Sequence, residues 1–163
     1  MGAPDTTIAP LPPTTIRRLR NLTDRFTDIG AAERANYQRF LTKLCEALGV
    51  EKPRPATADT ADTAEHTAYR FEFAVKIITR DGVVSTNYID LFKHGCFALE
   101  AKDLADGAST GTLLTKAFGQ AVNDARDLAD HPPYVMVLDV GKSLTLWDRW
   151  QGTYGGNLPR LAH

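Results

Sequence analysis

The sequence predicts an α/β (α+β-like) domain: a mixed sheet that contains an antiparallel three-strand meander and is flanked by helices. Three observations predict it. Apolar residues recur at helical spacing up to Gly49, then switch to two-residue alternation from Tyr69. The elements then run helix, three strands, helix, two strands, with turn residues between the strands. A chain of 163 residues is long enough for one domain with a real core.

Residues 1–15, "MGAPDTTIAPLPPTT", are rich in Pro and Thr and read as a flexible arm. The domain proper is expected over 16–156, with a tail over 157–163. Ile16 to Phe26 suit a short basic amphipathic helix, interrupted by Gly30. "AAERANYQRFLTKLCEALGV" is the first strong helix, because Tyr37, Phe40, Leu41, Leu44 and Leu48 fall on one face and Gly49 stops it. Residues 52–68, rich in Pro, Thr, Ala and Asp, read as an exposed linker.

The alternating run "YRFEFAVKIIT" then turns at Arg80-Asp81-Gly82 and returns as "VVSTNYIDLF". "HG" turns again into "CFALEAK", which completes the meander. "DLADGASTG" is a loop. Thr112 to Ala129 form a helix whose apolar side carries Leu114, Ala117, Phe118, Ala121, Ala125 and Leu128. "YVMVLDV" is a buried strand that turns at Gly141-Lys142 and pairs with "SLTLWDRW".

Composition excludes several classes. The N-terminus lacks the basic start and apolar run of a secretion signal, and no stretch approaches a membrane span. Cys45 and Cys96 sit in apolar contexts without a CxxC partner and read as buried free thiols. A cytoplasmic protein is the expectation. The formal net charge is −1. A domain holding DNA alone by phosphate contacts would carry a basic surplus, so any nucleic acid must be delivered by other parts. Arg17, Arg18, Arg20 and Arg25 form a local basic cluster.

The meander carries the chemistry. Asp90 stands in its second strand, and Glu100 and Lys102 in its third, where a plain core hairpin has apolar or neutral residues. Strand alternation puts Glu100 and Lys102 on one face. With a Lys93-His94-Gly95 loop, Asp90 lies diagonal to Glu100, with Cβ atoms roughly 7 Å apart. A two-residue His94-Gly95 loop would place Asp90 opposite Leu99 instead, so convergence requires the odd loop or a bulge. Two carboxylates on one face can hold a Mg²⁺ ion, with the Ala101 carbonyl a further oxygen ligand. An ammonium beside the ion can orient a water and neutralise a phosphate, which suits phosphodiester hydrolysis. Glu-x-Lys alone is a weak signal, more often an exposed strand edge of hydrogen-bonding charges than a catalytic motif.

The segments "AERANYQRFLTKLCEALGV", "IDLFKHGCFALEAKD" and "VMVLDVGKSLTLWDRWQGTYGG", in that order, resemble the N-terminal domain of MmeI-like restriction–modification proteins. The likeness runs from about Gly30 to about Gly156. It implies a restriction-endonuclease-like core of the PD-(D/E)xK type, normally linked to an adenine-specific DNA methyltransferase, a helical spacer and a target-recognition domain. Carried over residue by residue, Asp90, Glu100 and Lys102 fall on the nuclease motif. Gln120 matches a glutamine on the helix after it. Asp124 stands where the family often has an aromatic residue. Glu33 matches a first-helix acid. It projects to the same side as Tyr37, Phe40 and Leu44, and either completes the metal site or is a favourable N3 position of the helix. The resemblance therefore implies a Mg²⁺-dependent (or Mn²⁺-dependent) endonuclease acting on double-stranded DNA. Its methyltransferase and target-recognition parts would be supplied by another chain or be missing. The alternative is a catalytically silent fragment or docking module associated with a methyltransferase.

Three other signals are decoys. "HPPY", His131 to Tyr134, is similar to the amino-methyltransferase motif, but no Gly-rich strand-turn precedes it, and it reads as a turn entering a strand. "GKS" at Gly141 to Ser143 has Met136 where a phosphate loop needs glycine, so it is a hairpin turn. His66, His94, His131 and His163 are scattered and predict no zinc site.

Overall fold

The computed structural model describes residues 9–27, 33–56, 68–78, 81–102, 110–126, 128, 131–147 and 159–161. Much of the expected arm, the middle of the expected linker and most of the loop before the last helix lie outside them.

Helix α1 (Pro13–Thr27) starts ahead of the expected Ile16. Proline has no N–H to waste in a first turn and its fixed φ suits the position. The amides of Thr15 and Ile16 both bond the Pro12 carbonyl, at 2.9 and 3.1 Å. Leu22 and Phe26, four apart, are the buried side of α1, while Arg17, Arg18, Arg20 and Arg25 remain exposed. Helix α2 (Glu33–Leu48) buries Tyr37, Phe40 and Leu41. Phe40 meets Phe26 edge-on with centroids 5.2 Å apart, which locks the two helices together. Leu48, expected on the same stripe, is instead exposed at the helix end. Gly49 there takes a φ of 72°, and the Val50 amide returns to the Cys45 carbonyl at 3.0 Å, a glycine-capped helix end.

The meander is present. Strands β1 (Tyr69–Ile78), β2 (Val84–Lys93) and β3 (Phe97–Lys102) pair antiparallel in sequence order. Helix α3 (Thr110–Arg126) carries the chain to β4 (Tyr134–Asp139), which runs parallel to β3, as a helical crossover allows. Strand β5 (Ser143–Trp147) pairs antiparallel with β4 through the Gly141-Lys142 turn. A short β6 (Pro159–Leu161), within the stretch expected as a tail, adds to β5. Strand order along the sheet equals chain order. The result is a mixed α/β domain. Helix α3 ends ahead of the expected Ala129, though Leu128 is still buried.

The sheet has a core on each face. Helices α1 and α2 cover one, where Leu22, Phe26, Tyr37, Phe40 and Leu41 pack with Phe71, Leu91, Leu99, Ala101 and Leu138. Helix α3 covers the other, where Ala121, Val122 and Ala125 pack with Phe73, Phe92, Ala98 and Val135. Phe92 is wholly inaccessible. Burying such a side chain contributes about 1.5–3 kcal/mol. Beyond α2, the Arg54 carbonyl accepts the Phe71 amide at 3.0 Å, so the start of the expected linker lies against the outer edge of β1.

Strands β1 and β2 exchange faces partway along. Phe71 and Leu91 pair and pack with α1 and α2, whereas Phe73 and Ile89, the next aligned pair in the ladder, pack on the α3 side. Between them the ladder skips Glu72 and Asp90. Glu72 has a φ of 51°, the one left-handed non-glycine residue among those described. Such a conformation costs on the order of 1–3 kcal/mol and reorients the side chains that follow.

Cys45 is buried and Cys96 half-buried, in the turn before β3 rather than in the core, and both are free thiols. No helix among the described residues is long and apolar enough to cross a membrane.

Candidate functional site

The β2–β3 register sets the site. Leu91 pairs with Leu99, Phe92 with Ala98 and Lys93 with Phe97. The connecting loop is therefore odd, one of the two arrangements that convergence allowed, but it is His94–Gly95–Cys96 rather than Lys93–Gly95. Gly95, at φ 64°, supplies the left-handed bend, and the Cys96 amide closes onto the Lys93 carbonyl at 3.0 Å. Shifting the loop by one residue moves the pairing by two. The register continued past Leu91 sets Asp90 level with Glu100 instead of diagonal to it.

Asp90 leaves the ladder here. Its Oδ2 accepts the backbone N–H of Ala101 at 2.8 Å, so the side chain takes a β3 donor that regular pairing would have used. Glu100 projects from the centre of the sheet and is only 2 % exposed. Lys102, two residues along and hence on the same face, places Nζ 2.8 Å from Glu100 Oε1, with 29 % of its own side chain open. Burial is the main reason that the Glu100 carboxyl is pushed up to about 7, and the neighbouring charge of Asp90 adds to it. The Lys102 ammonium pulls the other way without cancelling them.

These groups open onto one cavity of about 390 Å³, whose wall also includes Ala101, Gln120, Asp124 and Tyr37. The structure thus gathers Asp90, Glu100, Ala101, Lys102 and Gln120. Gln120 is exposed at the rim, off the apolar stripe of α3. Glu33 is the first residue of α2, and its side chain lies outside the described residues. His94 is in the β2–β3 turn and His131 is exposed, apart from this wall; His66 and His163 lie outside the described residues.

Three further residues belong to the site and were read from the sequence as core, as a replacement or not at all. Asp124 is 2 % exposed and accepts a 2.7 Å hydrogen bond from Asn87 Nδ2, tying α3 to β2 beside Glu100. Its burial had a signal: it falls among Ala117, Ala121 and Leu128 at spacings of four and three. Tyr37, one of the apolar stripe of α2, turns its hydroxyl to Glu72 Oε1 at 2.5 Å. The phenol is pushed up beyond the usual range, first by burial and then by that hydrogen bond. Asn87 had no such signal.

The donor set fits a hard divalent cation. Oxygen ligands suit Mg²⁺, which commonly takes one or two carboxylates and fills its octahedron with water and substrate oxygens. Glu100 held up to about 7 beside Asp90 is the mark of two acids in a desolvated place with too little positive charge. Among the described residues no group of three or more His, Cys, Asp or Glu side chains is placed to hold a metal ion.

A family model described as "MmeI, N-terminal domain" matches residues 16–159, a span that includes every residue of the cavity. No curated protein and no solved structure matches the chain.

Proposed function

The chain belongs to the family of MmeI N-terminal domains, which ties it to restriction–modification, and we propose from this that Asp90, Glu100 and Lys102 form the cleavage centre of a DNA endonuclease. The observation that carries the reading is the convergence of two carboxylates and one ammonium at a single cavity, from neighbouring strands. The fold is then the restriction-endonuclease-like core that the resemblance to MmeI-like proteins implies.

In this reading Asp90 and Glu100 hold Mg²⁺ or Mn²⁺, with the Ala101 carbonyl as a further candidate ligand and Glu33 a candidate from α2. When bound, such an ion withdraws charge from phosphoryl oxygens and acidifies a water. The chain's own residues do the rest. The Ala101 amide fixes Asp90 through Oδ2 at 2.8 Å, so its other oxygen faces a set direction. Burial keeps Glu100 short of solvent and strengthens every charge interaction around it. Lys102, partly open, presents its ammonium to the scissile phosphate or to the attacking water. Gln120 offers an amide at the rim to the same water or to a phosphate oxygen. Hydrolysis joins the water oxygen to phosphorus and breaks one bridging P–O bond, leaving a phosphate monoester and a hydroxyl.

The net charge of −1 supports delivery of double-stranded DNA by methyltransferase and target-recognition parts, in the same or another chain. The test is incubation of unmethylated plasmid with the protein and Mg²⁺ or Mn²⁺, alone and with a methyltransferase partner, beside Lys102→Ala. Cutting by the wild type and not by the variant supports the nuclease. No cutting under any of these conditions leaves a silent docking module.

A further inference from the structure

Glu72 holds a backbone conformation that L residues avoid, and two side chains from α2 grip it there. Tyr37 donates its hydroxyl to Glu72 Oε1 at 2.5 Å, and Gln38 Nε2 donates to the Tyr37 hydroxyl at 3.2 Å and reaches Glu72 Oε1 at 3.5 Å. Tyr37 is itself immobilised: it is 1 % exposed and meets the Phe71 ring edge-on at 6.1 Å. Opposite this tethered residue the β1–β2 ladder skips Asp90, and Asp90 turns its carboxylate to the Ala101 amide of β3.

We infer that Tyr37 and Glu72 are positioning residues for Asp90: the phenol–carboxylate tether holds β1 in the left-handed bend that interrupts pairing at Asp90 and frees its carboxylate to cap Ala101. A regular β1 would pair through Glu72 and Asp90 and keep the strands on one face, with Asp90 fixed as an ordinary ladder residue. Among the described residues the Glu72 carboxylate takes its hydrogen bonds from the Tyr37 phenol and the Gln38 amide. Glu72 acts through backbone shape, and contacts no reacting atom. The consequence for cleavage rests on the nuclease reading; the consequence for Asp90 does not.

The experiment separates backbone shape from carboxylate chemistry. Glycine accepts a positive φ without strain, and valine resists it. The variants are Glu72→Gly, Glu72→Val and Tyr37→Phe in the full chain, each read by NMR hydrogen exchange of the Ala101 amide without divalent metal and by plasmid cutting with it. Glu72→Gly is expected to keep Ala101 protection and cutting close to wild type. Glu72→Val is expected to speed Ala101 exchange about tenfold through local opening. Its turnover should fall on the order of 100-fold, as displaced catalytic groups do, with KM for DNA little changed. Tyr37→Phe should move both readouts in the same direction by less. Unchanged Ala101 exchange in both Glu72→Val and Tyr37→Phe overturns the inference, as does a Glu72→Gly variant as impaired as Glu72→Val. If Glu72→Val does not fold, Tyr37→Phe and Glu72→Gly decide by the same exchange measurement. If the wild type cuts no DNA, the nuclease reading fails while the exchange result still decides the positioning role.

Discussion

Lys102 Nζ stands 2.8 Å from Glu100 Oε1, yet the Glu100 carboxyl is still pushed up to about 7. The ammonium is partly solvated and shared with the cavity mouth, so it offsets only part of what burial and Asp90 impose. The pair is therefore a centre short of positive charge, and it leaves a signature in stability. The native state holds the Glu100 proton more tightly than an unfolded chain, whose carboxyl titrates near 4.5. Between 4.5 and about 7 the native state thus binds more protons, and stability falls as pH rises, with the loss complete above 7. With a chelator present, Glu100→Gln is expected to be more stable than wild type at pH 8, by on the order of 2–3 kcal/mol. The difference should vanish toward pH 4. Chemical denaturation at the two pH values checks this, and a pH-independent difference would place the strain elsewhere.

A divalent cation should act on the same excess of negative charge. Mg²⁺ or Mn²⁺ is expected to raise the thermal midpoint of the wild type, by the equivalent of about 2.7 kcal/mol at a hundred times the dissociation constant. Asp90→Asn and Glu100→Gln should lose most of that rise. Lys102→Ala should keep it while losing cutting, because it removes the ammonium and leaves both carboxylates. A thermal-shift titration of the four proteins reads this without any DNA. Loss of the shift in Lys102→Ala alone would assign the ion to another place.

How far the sequence discloses such a centre depends on the range of the interactions involved. Alternation along β3 guarantees that Glu100 and Lys102 share a face, and the meander follows from turn residues and two-residue periodicity. The loop is legible only as one of two alternatives, because either an odd loop or a bulge brings Asp90 to Glu100's side. Its placement is not legible, since Cys96 joins the turn through a single bond to the Lys93 carbonyl. Leu48 continues the apolar spacing of α2 but is its last residue, next to the Gly49 cap, and is exposed there. Glu72 and Tyr37 are 35 residues apart, and no local pattern announces that one bends the backbone of the other. Asn87 is likewise a polar residue in a polar run until α3 brings Asp124 to it.

That contact should hold α3 to β2. Asp124 is buried, and its Oδ1 accepts from Asn87 Nδ2 at 2.7 Å. Asp124→Ala leaves the Asn87 amide without this acceptor, and Asn87→Ala leaves a buried carboxylate without this donor. Each is expected to cost about 1–3 kcal/mol. The double variant should cost less than the sum, with a coupling of roughly 0.5–3 kcal/mol. A double-mutant cycle by urea denaturation measures it, and strict additivity would show that the contact contributes nothing.

Beyond the Glu72 bend, the outward face of the β1–β2 ribbon continues from the cavity. Tyr88 pairs with Ala74 and Thr86 with Lys76, so these four side chains share one face, and Tyr88 and Thr86 also line the cavity wall. Tyr88 is 51 % exposed and shares the cavity wall with the buried Glu100 and Asp124. A DNA strand with its phosphate at Lys102 would therefore run out along this face, with Lys76 as a cationic stop and Tyr88 as an apolar plate for a sugar or base. Binding of the Lys102→Ala protein to a short duplex with a single-stranded end, followed across a salt series, tests the path. Adding Lys76→Ala is expected to lower the slope of log affinity against log salt by about 0.9, the share of one phosphate contact. Adding Tyr88→Ala should weaken binding by roughly 1–3 kcal/mol where a base stacks, and leave the slope unchanged. Opposite behaviour of the two variants is what assigns them different contacts; an unaltered slope with Lys76→Ala would mean the strand leaves the cavity by another side.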